Sequence, residues 1–249
     1  MESALRTEGL KRMFGGLAAV NGVSLECAVG RVHAVIGPNG AGKTTLINLL
    51  SGDLAPSAGR IEILGREVTG LPPHRISQLG VGRSYQRTNV FMSFTAFENC
   101  RLAAQSRLAT SMRFVRSAAS YREINGAAEH ALDLCGLNAK KNITAAALSH
   151  GERRQLEVAM TLATSPRVLL LDEPLAGMGA EEAERMVELL RRLGASHAML
   201  LVEHDMDAVF AIAATLTVMV DGRVLASGTP AEIRANAQVQ EAYLGAADD

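Results

Sequence analysis

Hydrophobic and polar positions along this chain follow two periods, and the change from one to the other marks its organisation. Arg31–Ile36 (RVHAVI) is short, rich in β-branched residues and stops at Gly37, which predicts a buried strand. A glycine-rich loop follows, then an apolar helix over Lys43–Leu50 closed by Gly52. Arg60–Leu64 and Glu67–Val68 around Gly65 predict a hairpin. Arg167–Leu171 and Ala198–Val202 are continuous apolar runs, the pattern of strands covered on both faces. The amphipathic stretch Glu181–Leu193 between them completes a βαβ unit. Leu216–Val220 and Arg223–Ser227 flank Asp221–Gly222, a two-residue hairpin signal. Thr229-Pro230-Ala231-Glu232 then reads as a capping box with proline in the first helical position. From about 88 to 165 strand-like runs vanish. That stretch is rich in Ala, Arg, Ser and Leu, and its helical spacing at Ile124, Ala127, Ala131 and Leu134 ends at Gly136. It predicts an α-helical subdomain inserted into an α/β core.

Composition narrows the class. The 249 residues carry 25 Lys+Arg against 26 Asp+Glu, a formal charge of −1, which argues against a broad nucleic-acid footprint. At 48% hydrophobic the chain can build a core and lacks the signature of disorder. Cys27, Cys100 and Cys135 are widely spaced without a CxxC pair, so neither a disulfide framework nor a zinc site is expected, and a reducing compartment fits. The N-terminus has no apolar signal-like run. The longest apolar stretch, Ala208–Val220, is too short to span a bilayer and reads as a helix running into a core strand. A soluble chain is expected, with any membrane connection made through a partner.

Three segments carry chemistry. Gly37-Pro38-Asn39-Gly40-Ala41-Gly42-Lys43-Thr44 fits GxxxxGK[ST] between a strand and a helix. Its glycines let successive backbone N–H groups converge on one anion, and the helix behind adds its positive end. Lys43 is then expected on the β- and γ-phosphates of a nucleotide and the Thr44 hydroxyl on Mg²⁺. The second segment, Val168–Pro174, is an apolar strand ending in Asp172 and Glu173, at the edge where ligands sit in open α/β sheets. Asp172 is expected to hold Mg²⁺ through water, and Glu173 to orient or deprotonate an attacking water. The third, Leu148-Ser149-His150-Gly151-Glu152-Arg153-Arg154-Gln155, places a hydroxyl and a bare glycine at a helix start, an arrangement suited to a γ-phosphate. Taken alone, the segment favours a plainer reading, an ordinary Ser N-cap with Glu152 completing a capping box.

In the order GPNGAGKT, Gln86, LSHGE, LLLDEP and His204, the chain resembles the ATP-binding cassette of ABC transporters over nearly its whole length. More closely, it resembles the ATPase subunits of branched-chain amino acid importers. The features shared with them are Phe14-Gly15-Gly16, the long helical insertion, Val202-Glu203-His204-Asp205-Met206 and Glu241-Ala242-Tyr243-Leu244-Gly245. The resemblance implies a P-loop NTPase core with a mixed sheet, an N-terminal antiparallel β subdomain and an inserted α-helical subdomain. The cassette would cover 5–246, with the helical subdomain at about 88–165 and a tail over 247–249. It implies binding of ATP with Mg²⁺ through Gly37–Thr45, including Thr45, and an adenine stacked on Phe14, which without the family match would read as a core residue. Gln86 is implied to contact Mg²⁺ and sense the γ-phosphate, and His204 to hydrogen-bond it, so that Lys43, Gln86, Glu173 and His204 form the catalytic set. Thr44, Gln86 and Asp172 form the metal set.

The same resemblance implies that Ser149, His150, Gly151 and Glu152 complete the ATP site of a second cassette, head to tail. Closure would pass to transmembrane permease subunits through the segment after Gln86, including Phe91 and Phe94, residues that could equally be buried core. The implied place is cytoplasmic, peripheral on the inner face of the cytoplasmic membrane. There the chain would power uptake of small polar solutes, branched-chain amino acids foremost, delivered by a separate solute-binding protein. Urea or amide import and lipopolysaccharide or lipid export share the same features, and a cassette that binds ATP for assembly without hydrolysing it is a reading of another class. Two positions depart from the family pattern. His150 stands where glycine is commonest, and Gly179, after Ala176-Gly177-Met178, stands where many cassettes carry an acid.

Overall fold

The computed structural model describes residues 3–85, 89–107 and 121–244, without the side chains of 243 and 244. Gln86, Gly245 and the tail over 247–249 lie outside the described residues. The chain divides into two compact units, one drawn from Met1–Val81, Arg167–Glu173 and Leu190–Asp249, the other from Gly82–Pro166 and Pro174–Leu189.

The first unit holds one sheet and most of a second. β1 (Ser3–Phe14) and β2 (Leu17–Ala28) form a long antiparallel ribbon, joined by β4 (Ala58–Ile63) and β5 (Arg66–Glu67) in the order β2-β1-β4-β5. This is the expected N-terminal antiparallel subdomain, and β4–β5 is the expected hairpin around Gly65. The ribbon's alternation is interrupted by register shifts, one of them between Thr7 and Leu10 beside Gly9, and that irregularity masks the period of two in the sequence. Thr7 is buried on it, its hydroxyl donating to the Val23 carbonyl at 3.2 Å and accepting from Leu25 N at 3.0 Å.

The second sheet is mixed, in the order β10-β9-β3-β8-β7-β6. Its strands are β3 (Arg31–Ile36), β6 (Val81–Arg83), β7 (Val168–Asp172), β8 (Ala198–Val202), β9 (Thr215–Val220) and β10 (Arg223–Gly228). β7 and β8 are buried at every position, as their unbroken apolar runs require. β3, β7, β8 and β9 are parallel, and β10 turns back from β9 through Asp221 and Gly222, both at positive φ (48° and 74°). That is the backbone a two-residue primed turn demands. One cluster, including Leu10, Leu46, Ile47, Leu50, Ile61, Ile76 and Leu170, joins the ribbon, α1 (Lys43–Leu50), α2 (Pro73–Gln78) and the mixed sheet. A second gathers Ile36, Val218, Val209 of α7 (Met206–Ile212), Ile233 of α8 (Pro230–Ala235) and Val239 of α9 (Ala237–Leu244). The stretch Ala208–Val220 thus divides into helix and core strand, as expected.

The second unit is built on α3 (Ala96–Gln105), α4 (Arg122–Leu134) and α5 (His150–Ala163), with most of α6 (Ala180–Gly194). α4 buries Ile124, Ala128, Ala131 and Leu132. The sequence stripe Ile124–Ala127–Ala131–Leu134 therefore holds at Ile124 and Ala131, whereas Ala127 and Leu134 are half-buried and Ala128 and Leu132 take the buried places. α3 and α5 both pack on α4, so its apolar face is centred between two neighbours rather than on a single seam. Among the described residues no helix is long and apolar enough to cross a membrane. All three cysteines are buried and none forms a disulfide.

Candidate functional site

Strand register decides where the chemistry gathers. Val35 of β3 and Asp172 of β7 both pair with Val202 of β8, so the three strands end level. Gly37, Glu173, Glu203 and His204 therefore emerge together at the carboxyl edge of the sheet, the edge at which open α/β sheets take ligands.

The loop after β3 is shaped by contacts only glycine permits. Gly37 (φ 154°) lies so close to the Met219 carbonyl, and Gly42 (φ 96°) to the Ala19 carbonyl, that a Cβ at either would overlap backbone oxygen. The β9–β10 turn pins the loop from one side: Gly222 N donates to Ala41 O at 3.1 Å, and Asn21 N of β2 donates to Gly222 O at 2.7 Å. Ala41 N donates to Pro38 O at 3.2 Å, and α1 opens with Leu46 N on Gly42 O at 2.8 Å. Around this loop the backbone is folded tightly enough for its N–H groups to line a small anion.

Lys43 is buried, and its ammonium donates to Gly37 O at 2.7 Å and Pro38 O at 2.9 Å. Burial holds its pKa below the usual lysine range, while the Glu173 and Asp172 carboxylates act in the opposite sense by favouring the charged form. Asp172 is almost fully buried at the end of β7, whereas Thr44 is exposed and Thr45 half-buried on the first turn of α1. Glu173 takes a left-handed backbone at φ 50° while its N–H donates to Val202 O at 2.9 Å. A non-glycine residue held there by the strand beside it is a strained one.

His204 is exposed, with Nδ1 3.8 Å from Glu173 Oε1 and 3.8 Å from Glu203 Oε2, and its N–H donates to Glu203 Oε2 at 3.2 Å. Glu203 is wholly buried. It is a site neighbour that reading the residues as chemistry missed, although a carboxylate closing an otherwise apolar strand is a visible signal. Phe14, at the tip of the β1–β2 ribbon, is 43% exposed, which rules out the core reading, and the Arg12 guanidinium sits 4.7 Å from its ring centre. Pro38 is half-buried, and Asn39 and Gly40 are exposed.

The first unit thus brings together Gly37–Thr45, Asp172, Glu173 and His204, while Gln86 lies outside the described residues. Among the described residues no group of three or more His, Cys, Asp or Glu is placed to hold a metal. The donors at this edge, one hydroxyl and one carboxylate, suit a hard cation that keeps waters and phosphate oxygens as its other ligands. The loop in turn fits a phosphate, since at Gly37 and Gly42 the backbone folds too closely to admit a side chain.

The Ser149–Glu152 segment lies in the second unit and begins α5. Ser149 is its N-cap: the hydroxyl accepts from Glu152 N at 3.2 Å, and Glu152 Oε2 accepts from Ser149 N at 3.0 Å. Lys140 bonds the same carboxylate and is the first cause of its lowered pKa. Gly151 is buried. His150 is exposed and rests on Gly177, whose Cβ, if present, would lie 3.1 Å from His150 Cε1. Gly179 has open space around it, and its carbonyl accepts from Ala183 N at 2.9 Å.

In the same unit Phe91 and Phe94 are exposed (51% and 40%) and stacked with ring centres 5.3 Å apart. The surface reading of these two residues therefore holds. Their loop is held by Asn99, fully buried, whose Oδ1 accepts from Phe91 N at 2.9 Å and whose Nδ2 donates to Phe91 O at 3.1 Å and Thr95 O at 3.0 Å.

A family model described as "ABC transporter" matches residues 20–176, and one described as "Branched-chain amino acid ATP-binding cassette transporter" matches 223–249. The chain is 41% identical to the high-affinity branched-chain amino acid transport ATP-binding protein BraF of Pseudomonas aeruginosa over 98% of each protein. It is 40% identical to the corresponding protein LivG of Salmonella typhimurium, again over 98% of each. Among solved structures it is similar to the ADP conformation of an ATP-binding cassette of an ABC transporter, with a TM-score of 0.89 and 28% identity over 98% of this chain and 100% of that one.

Proposed function

This chain belongs to the ATP-binding subunits of ABC transporters, and from that premise we propose that it hydrolyses ATP at the sheet edge described above to power import of branched-chain amino acids. The observation that carries the reading of the site is the meeting of Lys43, Asp172, Glu173 and His204 at the level ends of three parallel strands. Family membership supports the ATPase activity. The solute is inferred from full-length likeness to BraF and LivG and from the match over 223–249.

The chain's own groups divide the work. Lys43, now folded onto the loop carbonyls, turns its ammonium to the β- and γ-phosphate oxygens. Thr44 and Asp172 would hold Mg²⁺, which supplies charge neutralisation on those oxygens when bound. Glu173 accepts the proton of the attacking water, and its strained backbone fixes where the carboxylate stands. His204 Nδ1 faces that carboxylate, and its ring holds the γ-phosphate oxygen. Phe14 offers the free face of its ring to adenine. Gln86 is assigned to the metal and γ-phosphate on family likeness alone.

Ser149, His150, Gly151 and Glu152 face the nucleotide of a second cassette, head to tail, so that ATP joins two chains and its cleavage releases them. Gly179 leaves that interface without the acidic side chain many cassettes carry. The stacked Phe91–Phe94 pair, held by Asn99, is the surface offered to a permease subunit at the inner face of the cytoplasmic membrane. A solute-binding protein would act on the far side. The test is Glu173→Gln. ATP turnover should fall at least about a hundredfold while ATP binding persists and a dimer outlives that of the parent. Unchanged turnover would remove Glu173 from the role of base. With the cognate permease, uptake of leucine or isoleucine driven by ATP tests the solute, and urea uptake or lipid export in its place would redirect it.

A further inference from the structure

The N-terminus of α5 already holds an anion, and it comes from the chain itself. Ser149 Oγ donates its only proton to Glu182 Oε1 at 3.0 Å. The same carboxyl lies against Gly151, where a Cβ would fall within 2.6 Å of Oε1. The hydroxyl and the bare glycine are the two features that suit this segment to a γ-phosphate, and one carboxylate engages both. Glu182 stands in the first turn of α6, is half-buried, and belongs to the same compact unit as α5. Two anions cannot share one hydroxyl proton and one glycine face, since their repulsion is largest where water is excluded.

We propose that Glu182 is a placeholder for the γ-phosphate: its carboxylate occupies the Ser149–Gly151 seat in the separate subunit and must be expelled when a partner's ATP docks there. The inference rests on the reading that this segment completes the site of a second cassette. Glu182 acts as a positioning residue, keeping Ser149 and the start of α5 ordered without nucleotide and setting the ATP concentration at which two chains close. Expulsion leaves the carboxylate in the first turn of α6, where a negative charge is still favourable, so the exchange can be reversed on each cycle. Gly151 is then required twice, by the resting carboxylate and by the arriving phosphate.

The experiment uses the full chain carrying Glu173→Gln, so that ATP is not consumed, and follows dimer formation by light scattering as ATP with Mg²⁺ is titrated. Glu182→Gln keeps the shape and the hydrogen-bond acceptor but removes the charge, and Glu182→Ala removes both. Both should form dimers at an ATP concentration about two- to fivefold lower than the parent, the range set by taking one charge from a helix N-terminus. Fluorescent-nucleotide binding to the dilute monomer should not change, because that site lies in the first unit. If Glu182 only braces α5, both variants will need more ATP than the parent, and the proposal fails. A parent that dimerises with ATP alongside variants of unchanged threshold overturns the placeholder alone. A parent that forms no ATP-dependent dimer overturns the head-to-tail reading and this inference with it.

Discussion

Replacing Glu173 by glycine and, separately, by alanine isolates the backbone at the catalytic position. Both changes remove the carboxylate, and both should abolish ATP turnover. They differ in what they ask of φ 50°, the angle at which Val202 O holds the Glu173 N–H at 2.9 Å. An L-residue in the left-handed region costs about 1–2 kcal/mol, and glycine does not meet that cost. Against it stands glycine's greater freedom in the unfolded chain, which takes back about 0.4–1 kcal/mol. Glycine should therefore be more stable than alanine by about 0.5–1 kcal/mol, and at about 2–4 °C per kcal/mol for a chain of this size the melting temperatures should differ by a few degrees. Urea unfolding of the two variants, with equal slopes, measures the difference directly. Phosphate release checks that neither is active. Alanine matching or exceeding glycine would show that the backbone is relaxed there, and that fixing the carboxylate by strain plays no part in the mechanism.

Gly42→Ala should impair the phosphate loop far more than Gly40→Ala. Both sit at positive φ, but only a Cβ at Gly42 overlaps the Ala19 carbonyl, and none meets anything at Gly40. ATP affinity and melting temperature of the pair, compared side by side, decide it, and equal losses would refute the role of the clash. Asn99→Ala removes four hydrogen bonds to the Phe91–Thr95 loop, the one to Phe94 O long at 3.5 Å, and should lower stability by about 2 kcal/mol. Permease-coupled transport should fall further than ATP turnover, and an unchanged melting temperature would show that the loop holds itself. His33 is buried, with its ring nitrogens 2.8 Å from Glu26 O and 2.8 Å from Thr217 Oγ1, and burial lowers its pKa below 6.5. The unfolded chain then binds the extra proton first. The stability His33 contributes is complete above its unfolded pKa and declines as pH falls below it, by at most about 1.4 kcal/mol per pH unit. Unfolding free energies at pH 7.5 and 5.5 should show a smaller difference in His33→Gln than in the parent, and an identical difference would exclude His33 as the source.

Much of the site could be read before the fold was known, because local chemistry dictated it. The spacing of Gly37, Gly42, Lys43 and Thr44 follows from how a backbone must wrap around phosphate, and no other local structure needs that pattern. β7 and β8 were legible because strands buried on both faces admit only apolar residues, so Asp172 and Glu173 stood out at the end of such a run. The β9–β10 turn was equally plain, Asp221-Gly222 being one of few dipeptides that tolerate two positive φ angles. The face of α4 was read correctly at Ile124 and Ala131 but not at Ala127 and Leu134, because two neighbouring helices share it and a sequence cannot say from how many sides a helix is covered.

Other facts belonged to the tertiary structure alone. Nothing local distinguishes Phe91 and Phe94 as surface residues from core ones, and their exposure depends on Asn99 holding the loop from within. Glu203 became a neighbour of His204 and Glu173 through parallel pairing of strands about thirty residues apart in sequence, and the level strand ends came from the register of β3 and β7 on β8. Glu182 reached Ser149 across 33 positions, although by itself it reads as one more acid on an amphipathic helix. The chain's residue types fixed which groups could handle phosphate, because that chemistry needs particular atoms on a short stretch of backbone. Which groups meet, and which carboxylate rests where a phosphate is expected, was decided by packing, because contacts between distant segments are set by register and burial rather than by any one segment's composition.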